Sequence, residues 1–564
     1  MSNTPRNTKA SSSVKLKSWL PLFFTQALGV LNDNLLKGAI CFIAVLWVPQ
    51  EMRATVLAMA SGLLVIPFLM ISPWAGRLSV RYDKAKVVNY AKLAEIPIMM
   101  IAIGGFFLES LWLSGFALLL MGFQSAIYAP SKYGLIRDVG GYKGINYGTG
   151  MMELLTFVSV LLGMVLAGFV ADMGDAQKYI LGGIFLSLAL LGWWASNCIK
   201  VKEVEAQPEF EGSIQPWKFA KRTWKTAGQT KGLKWTLIGL GIFWLIGSLL
   251  QLVLLLHLPE QFDLSATQTS LVISAVAVGI GLGCWTAGVL SKDRVELGMT
   301  PIGGLGMAIC LTVLSFAELS LGGFIFFAIA SAFFSGWFKV PLNAWLQDRV
   351  KGRELGTMLA LQNMLLCIFV LLSAIIFKVA TLVMSSEAII GVIALIAWGV
   401  AIGTLINIPA MFVRTLVFLL SKIVYRVRVH GADRVPKTGG ALVVANHVSY
   451  LDFMLLVAAV PRQLRFVMLQ DMYDKKIFKW LLKRMNMIPI NARKGGNNLE
   501  AFNALCQAEI NAGHVVCIFS EGTVTRTGQM LEFKRGIEYI AAGIEAPIIP
   551  VHLGDVIGTP CSFT

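Results

Sequence analysis

The chain has 564 residues, 56% of them hydrophobic and only 14% charged, a balance that excludes a soluble globular protein and calls for lipid as the main solvent. Its formal net charge of +16 falls in short loops between apolar runs and in the last part of the chain. No aromatic–basic RNA motif accompanies it, so a nucleic-acid partner is not expected. The eight cysteines show neither CxxC nor metal-ligand spacing, which argues against a disulfide framework and offers no metal site.

Residues 1–17 are polar and basic and read as a cytoplasmic tail, since no cleavage-site pattern follows. From there to about residue 413, apolar segments of roughly 18 residues or more, enough to cross a hydrocarbon core, recur twelve times. They are expected near 18–48, 55–80, 87–107, 110–130, 150–172, 178–198, 234–256, 268–290, 299–319, 321–345, 355–384 and 387–413. Alternate loops carry most of the basic residues: Arg77, Arg81, Lys84 and Lys86, then Lys200, Lys202, Lys218, Lys221, Arg222 and Lys225, then Lys292 and Arg294, then Arg349, Lys351 and Arg353, with Arg53 and Lys178 as exceptions on the opposite side. The positive-inside rule puts those loops and both termini in the cytoplasm. A polar loop at 199–233 divides the spans six and six, the pattern of a rocker-type transporter with its substrate site between halves.

After Arg414 the texture changes. Residues 414–424 read as a linker, Val424–Val429 alternates like a strand, and Ala441–Ala445, Val515–Phe519 and Pro547–Val551 read as short buried strands. Helical stretches fall around 451–460, 474–485 and 498–512, so residues 425–564 are expected to form a cytoplasmic α/β domain. Lys475, Lys476, Lys479, Lys483 and Arg484 lie beside Phe478 and Trp480, either a solvated helix face or one that docks on anionic lipid.

Several ordered motifs carry a resemblance for residues 18–413. Gln26–Leu36 (QALGVLNDNLL), Gln124–Gly134 (QSAIYAPSKYG), Asn146 with Glu153, and Gly336–Gln347 (GWFKVPLNAWLQ) are similar to the lysophospholipid-transporter branch of the major facilitator superfamily. The superfamily's loop signature is partial in Gly76–Arg81, where Val80 replaces the usual Asp and Asp83 stands nearby. A charge within a span costs about 2.5–3.5 kcal/mol on insertion scales, so Asp33, Lys37, Lys92, Glu95 and Glu153 call for partners or a cavity. Asp33 with Lys37 and Lys92 with Glu95 have helical spacing and could be packing ion pairs. The functional alternative is a polar cavity for a zwitterionic or anionic head group, with Asp33, Asn34, Lys132 and Glu153 as its candidate residues.

In the last part of the chain, His447 and Asp452 stand in the pattern His-x4-Asp, where a strand end turns into a helix and a carboxylate can hold an imidazole in one tautomer. Phe519–Thr523 (FSEGT) ends a strand in a turn suited to a phosphate, and Met487–Arg493 supplies an arginine that could clamp one. With Ile549–Val551, these blocks resemble the glycerolipid acyltransferases of the 1-acylglycerol-3-phosphate type over about residues 425–555. That resemblance implies His447 as general base and Asp452 as its orienter, with Arg493, Glu521, Gly522 and Thr523 on the glycerol phosphate. Ser520 stands where that family usually has Pro, and the arginine after Thr523 is delayed to Arg526. Thr525–Gly528 with Phe533–Gly536 is closer to the 2-acylglycerophosphoethanolamine acyltransferase branch.

The resemblances together imply a twelve-span facilitator in a bacterial inner membrane, fused to a transferase that re-esterifies lysophospholipid. No bound cofactor is expected, and the acyl donor is an acyl carrier protein thioester or acyl-CoA. Longer forms of the family continue into an acyl-activating, adenylate-forming domain. This chain stops at Thr564, soon after the fourth block, and is expected to lack that domain. Two rival readings stand beside this one. The first is a transporter of another amphiphile with an independent lysophosphatidate acyltransferase; the second is a transporter with a non-catalytic membrane-docking module.

Overall fold

The computed structural model describes residues 18–201, 215–291, 295–350, 353–424, 427–436, 438–460, 462–491, 497–527 and 529–554. Among the described residues, twelve helical segments are long and apolar enough to cross a membrane: Leu20–Trp47, Gln50–Ser72, Lys84–Phe107, Leu111–Ile136, Leu154–Ala171, Gly174–Asn197, Leu233–Phe262, Ala266–Ser291, Met299–Phe316, Leu321–Arg349, Thr357–Ala380 and Ser386–Asn407. They are numbered spans one to twelve below, and all twelve correspond to expected segments. Large apolar side chains such as Trp112, Phe316, Phe326 and Leu395 point outward, where hydrocarbon rather than water would receive them.

The spans depart from expectation in two places. The backbone stays helical throughout Leu111–Ala171, including the stretch with Gly140, Gly141 and Gly144 where a loop was expected. Intrinsic propensity is a weak prior that tertiary packing overrides. Span twelve ends at Asn407 rather than running to residue 413, because Pro409 disfavours helical geometry at Ile408 and takes the first position of a new helix, Pro409–Val424. Inside the long central loop lies a further helix, Pro216–Ala227, whose Thr223 and Ala227 are buried while Lys218, Lys221, Arg222 and Lys225 face outward.

The chain divides into two compact units, Met1–Thr286 with Gly304–Gly399, and Ala287–Gly303 with Val400–Thr564. In the second unit the expected linker at 414–424 is helical, and Val424 closes that helix instead of opening a strand. Arg414 and Thr415 of this helix hold the two carboxylate oxygens of the buried Glu296 at 3.1 and 3.3 Å, which ties it to the segment before span nine. Residues 425 and 426 lie outside the described residues, and Val427–His430 form no strand.

The last part of the chain is built on five parallel strands: β1 (Ala441–Ala445), β2 (Leu464–Leu469), β3 (Ile488–Ile490), β4 (Val515–Phe519) and β5 (Ile548–Val551), in the order β3-β2-β4-β1-β5. Successive side chains of a strand point to opposite faces. Val443, Ala445, Val515 and Cys517 therefore pack with Leu456 and Val457 of the Asp452–Ala459 helix on one side. Leu442, Val516 and Ile518 pack with Phe502, Cys506 and Ile510 of Asn497–Asn511 and Ile540 of Gly536–Ala542 on the other. Burial on both faces explains why these strands read as continuous apolar runs rather than alternating ones. Strands β2 and β3 and the Gly536–Ala542 helix were not expected from sequence. The basic segment forms a short helix, Lys476–Arg484.

Candidate functional site

Strands β1 and β4 lie side by side and in register, Ala445 opposite Phe519. The turns that leave their carboxyl ends must therefore meet, which is where ligands bind in open parallel sheets. His447 stands two residues beyond β1 and Glu521 two beyond β4.

The His447 Nδ1 atom lies 2.9 Å from Asp452 Oδ2. The same oxygen accepts the backbone N–H of Val448 at 2.7 Å and of Ser449 at 2.9 Å. Asp452 is fully buried at the first position of its helix, where a carboxylate also meets the positive end of the helix dipole. Three donors on one oxygen fix the carboxylate, and the carboxylate fixes the ring. With Nδ1 taken, Nε2 remains as the nitrogen open to a substrate; it makes no hydrogen bond to the described residues, and the side chain is partly exposed. Phe519 stacks on the imidazole with centroids 4.1 Å apart and planes within 16°, and Phe466 stacks behind Phe519.

Glu521 is placed otherwise than the resemblance implied. Its side chain is buried, and its oxygens accept the backbone N–H of His447 at 2.9 Å and of Leu531 at 2.9 Å. A carboxylate committed to two amides offers a phosphate no donor and adds like charge, so Glu521 braces the loop rather than gripping ligand. The main chain closes the same joint, since Thr525 N–H donates to His447 O at 2.9 Å and Ser520 N–H to Ala445 O at 3.2 Å. Asn446 exchanges two hydrogen bonds with the backbone of Leu553, past the end of β5. Gly522 has φ +70°, a conformation that favours glycine, and Thr523 beside it is exposed. Arg493 lies outside the described residues, three beyond Ile490 at the end of β3.

Glu521→Gln tests the brace. One of its two acceptors becomes an NH2 group facing a backbone N–H, and hydrogen bonds to a charged group are worth about 1.5–3 kcal/mol. A lower unfolding temperature of the five-stranded domain is expected. An unchanged melting curve would remove the brace from the account.

In the first unit, the candidates Asp33 and Lys132 join a buried polar network across spans one, three, four and five. Lys92 Nζ lies 2.7 Å from Glu95 Oε2, with both side chains almost fully buried, and Asn32 donates to Glu95 Oε1 at 2.7 Å. Asp33 accepts from Ser125 Oγ at 2.9 Å rather than pairing with Lys37. Lys132 donates to Gln26 Oε1 at 3.0 Å, and Gln26 donates to Thr156 Oγ1 at 2.7 Å. The Tyr128 ring centroid lies 5.2 Å from Lys92 Nζ and 5.3 Å from Lys132 Nζ. Asn32 Oδ1, Asp33 Oδ1 and the Tyr128 hydroxyl are buried with no partner among the described residues. Asn34 turns back to Val30 O of its own helix, outside this network. The Glu153 side chain lies outside the described residues. Asn32, Lys92, Glu95 and Tyr128 were absent from the candidate set. The i,i+3 charge pair within span three was the signal for two of them.

Comparison with known proteins gives each part a family. Residues 18–374 match the model described as Major Facilitator Superfamily, and residues 426–554 match the model described as Acyltransferase. The lysophospholipid transporter LplT of Salmonella paratyphi B is 27% identical over 375 residues, covering 64% of this chain and 86% of that protein. The same-named protein of Salmonella typhimurium is 26% identical over the same lengths. Among solved structures, the human organic anion transporter MFSD10 superposes with a TM-score of 0.54 at 11% identity, over 69% of this chain and 99% of that one. A structure of the nucleoside transporter NupG gives 0.53 at 12%, over 70% and 100%. At such identities these two show the shared fold alone.

Proposed function

The chain belongs to the Major Facilitator Superfamily, and from that premise we propose that it carries lysophospholipid inward across a bacterial inner membrane and re-acylates it to diacyl phospholipid. The observation that carries this reading is the pairing, on one chain, of spans similar to lysophospholipid transporters with an imidazole aimed by a buried carboxylate in an acyltransferase domain. The basic loops between alternate spans support a cytoplasmic placement of both termini.

In the acylation step, His447 Nε2 takes the proton of the lysophospholipid hydroxyl as its oxygen attacks the acyl thioester carbonyl. The ester C–O bond forms and the C–S bond breaks. The departing thiolate recovers the proton from the imidazolium, whose charge Asp452 stabilises. Gly522 and Thr523, with Arg493, hold the glycerol phosphate, and the donor is an acyl carrier protein thioester or acyl-CoA. In the spans, the orphan acceptors Asn32 Oδ1 and Asp33 Oδ1 suit a head-group ammonium, while Lys92 and Lys132 suit its phosphate.

Vesicles containing the purified chain and an acyl donor, given labelled lysophosphatidylethanolamine, lysophosphatidate or an unrelated amphiphile from outside, test the reading. Lysophosphatidylethanolamine is expected to appear inside and to become diacyl lipid. Acylation confined to lysophosphatidate, or uptake confined to the unrelated amphiphile, would replace it with the first rival.

A further inference from the structure

Where the helix that carries span two, Gln50–Arg81, turns into span three, a groove of about 570 Å³ opens between the end of that helix and spans three and four. That volume lies in the range of small-molecule sites, about 300–1,000 Å³. Its walls are apolar: Leu78, Val87, Ala91, Ala94 and Ile127. Its mouth is not. Arg81 ends the helix Gln50–Arg81, which carries span two and runs on past it, and Lys86 lies in the first turn of span three; both are exposed, and neither forms an ion pair with any described carboxylate. The one acid at the mouth, Asp83, uses Oδ1 to cap span three through the N–H groups of Ala85 and Lys86 at 2.9 and 3.3 Å. The mouth therefore keeps a net positive charge. Tyr82 and Tyr90 stand exposed beside it, the kind of amphipathic ring that settles at a membrane interface.

The floor of the groove leads inward. Gln124 lines it, donates to Ala91 O at 3.1 Å and accepts from Ser125 Oγ at 3.1 Å. Ser125 Oγ in turn reaches Asp33 of the buried network at 2.9 Å. An apolar trough with a cationic mouth complements a molecule with one anionic group at the end of one chain, and a polar thread connects it to the network.

We propose that this groove is a lateral binding site for a monoacyl phospholipid, with the acyl chain along Leu78, Val87, Ala91, Ala94 and Ile127 and the phosphate on Arg81 and Lys86. It rests on the transport reading for its substrate class. It adds a station at the membrane-facing side of the first half, from which the lipid passes between bilayer and network.

The test uses the full chain in nanodiscs and lysophosphatidylethanolamine carrying a diazirine in its acyl chain, with labelled peptides mapped after photolysis. Saturable labelling within residues 78–94 and 124–127 is expected. Unlabelled lysophosphatidylethanolamine should compete, and a monoacylglycerol of equal chain length, lacking phosphate, should not. Arg81→Gln with Lys86→Gln should lower the yield there about ten-fold. Ile127→Trp, which fills the trough and keeps both cations, should lower it as well. Labelling confined to other segments, a yield unchanged by both variants, or equal competition by monoacylglycerol or by diacyl lipid would overturn the proposal. Uptake of the same probe separates the two readings. Uptake without groove labelling removes the groove alone, whereas neither uptake nor saturable labelling anywhere removes the transport reading with it.

Discussion

Replacing His447 by alanine is expected to lower acyl transfer by about 10²–10⁴-fold, the usual worth of a positioned general base, while uptake of lysophospholipid continues at the wild-type rate. The expectation follows from what each contact fixes. Asp452 Oδ2 holds Nδ1 at 2.9 Å, so the transferable proton must move through Nε2, and Phe519 holds the ring plane by stacking. Alanine removes the acceptor for the hydroxyl proton but leaves the backbone of residue 447 tied to Glu521 and Thr525. The loop is therefore expected to survive, and the loss to fall on the chemical step rather than on substrate binding. Asp452→Asn gives a second reading of the same geometry. The amide keeps the side chain's shape but no longer offers a carboxylate to three donors, so it loses both tautomer control and part of the turn's stability. Initial rates of diacyl lipid formation and of uptake, measured in the same vesicles, check both. Equal loss of the two activities in His447→Ala would contradict separate sites, and undiminished acylation would remove His447 from the mechanism.

The parts of this molecule that were legible in sequence are those set by one-dimensional patterns. Twelve apolar runs became twelve spans because span length is imposed by the bilayer and scarcely depends on packing. The His447–Asp452 pairing was legible for a similar reason: four intervening residues suffice for a turn to bring a helix's first carboxylate back to a strand's end. What remained hidden depends on register between distant segments. The stacking of Phe519 on His447 follows from Ala445 lying opposite Phe519 in adjacent parallel strands, and no local spacing encodes that. Glu521 stood inside a recognised block, yet its placement at two backbone amides became visible only with the β1–β4 pairing. The Pro409–Val424 helix was divided between a span and a linker because its apolar residues continue span twelve's composition, and only Pro409 marks the break. In the spans, Lys92 and Glu95 were recognised as a pair, but their neighbours Asn32 and Tyr128 come from other helices.

Lys92→Met and Glu95→Gln, made singly, are each expected to destabilise the first unit by about 3–5 kcal/mol, because each leaves one buried charge without its partner. The pair lies within 2.7 Å and is almost wholly removed from solvent, so neither remaining ion has water to turn to. In Glu95→Gln, Asn32 would still donate to the neutral amide oxygen, but Lys92 would lose the carboxylate at 2.7 Å and keep the Tyr128 ring at 5.2 Å. The double variant removes both charges and is expected to recover most of the stability, since replacing a whole buried pair costs far less than breaking it. Uptake decides what the pair is for. A double variant that melts like the wild type and still transports would make Lys92–Glu95 a packing pair, the plainer of the two alternatives its spacing allows. A double variant that melts like the wild type and no longer moves lysophospholipid would assign the pair to transport, because stability and transport would then have been separated at one pair of residues.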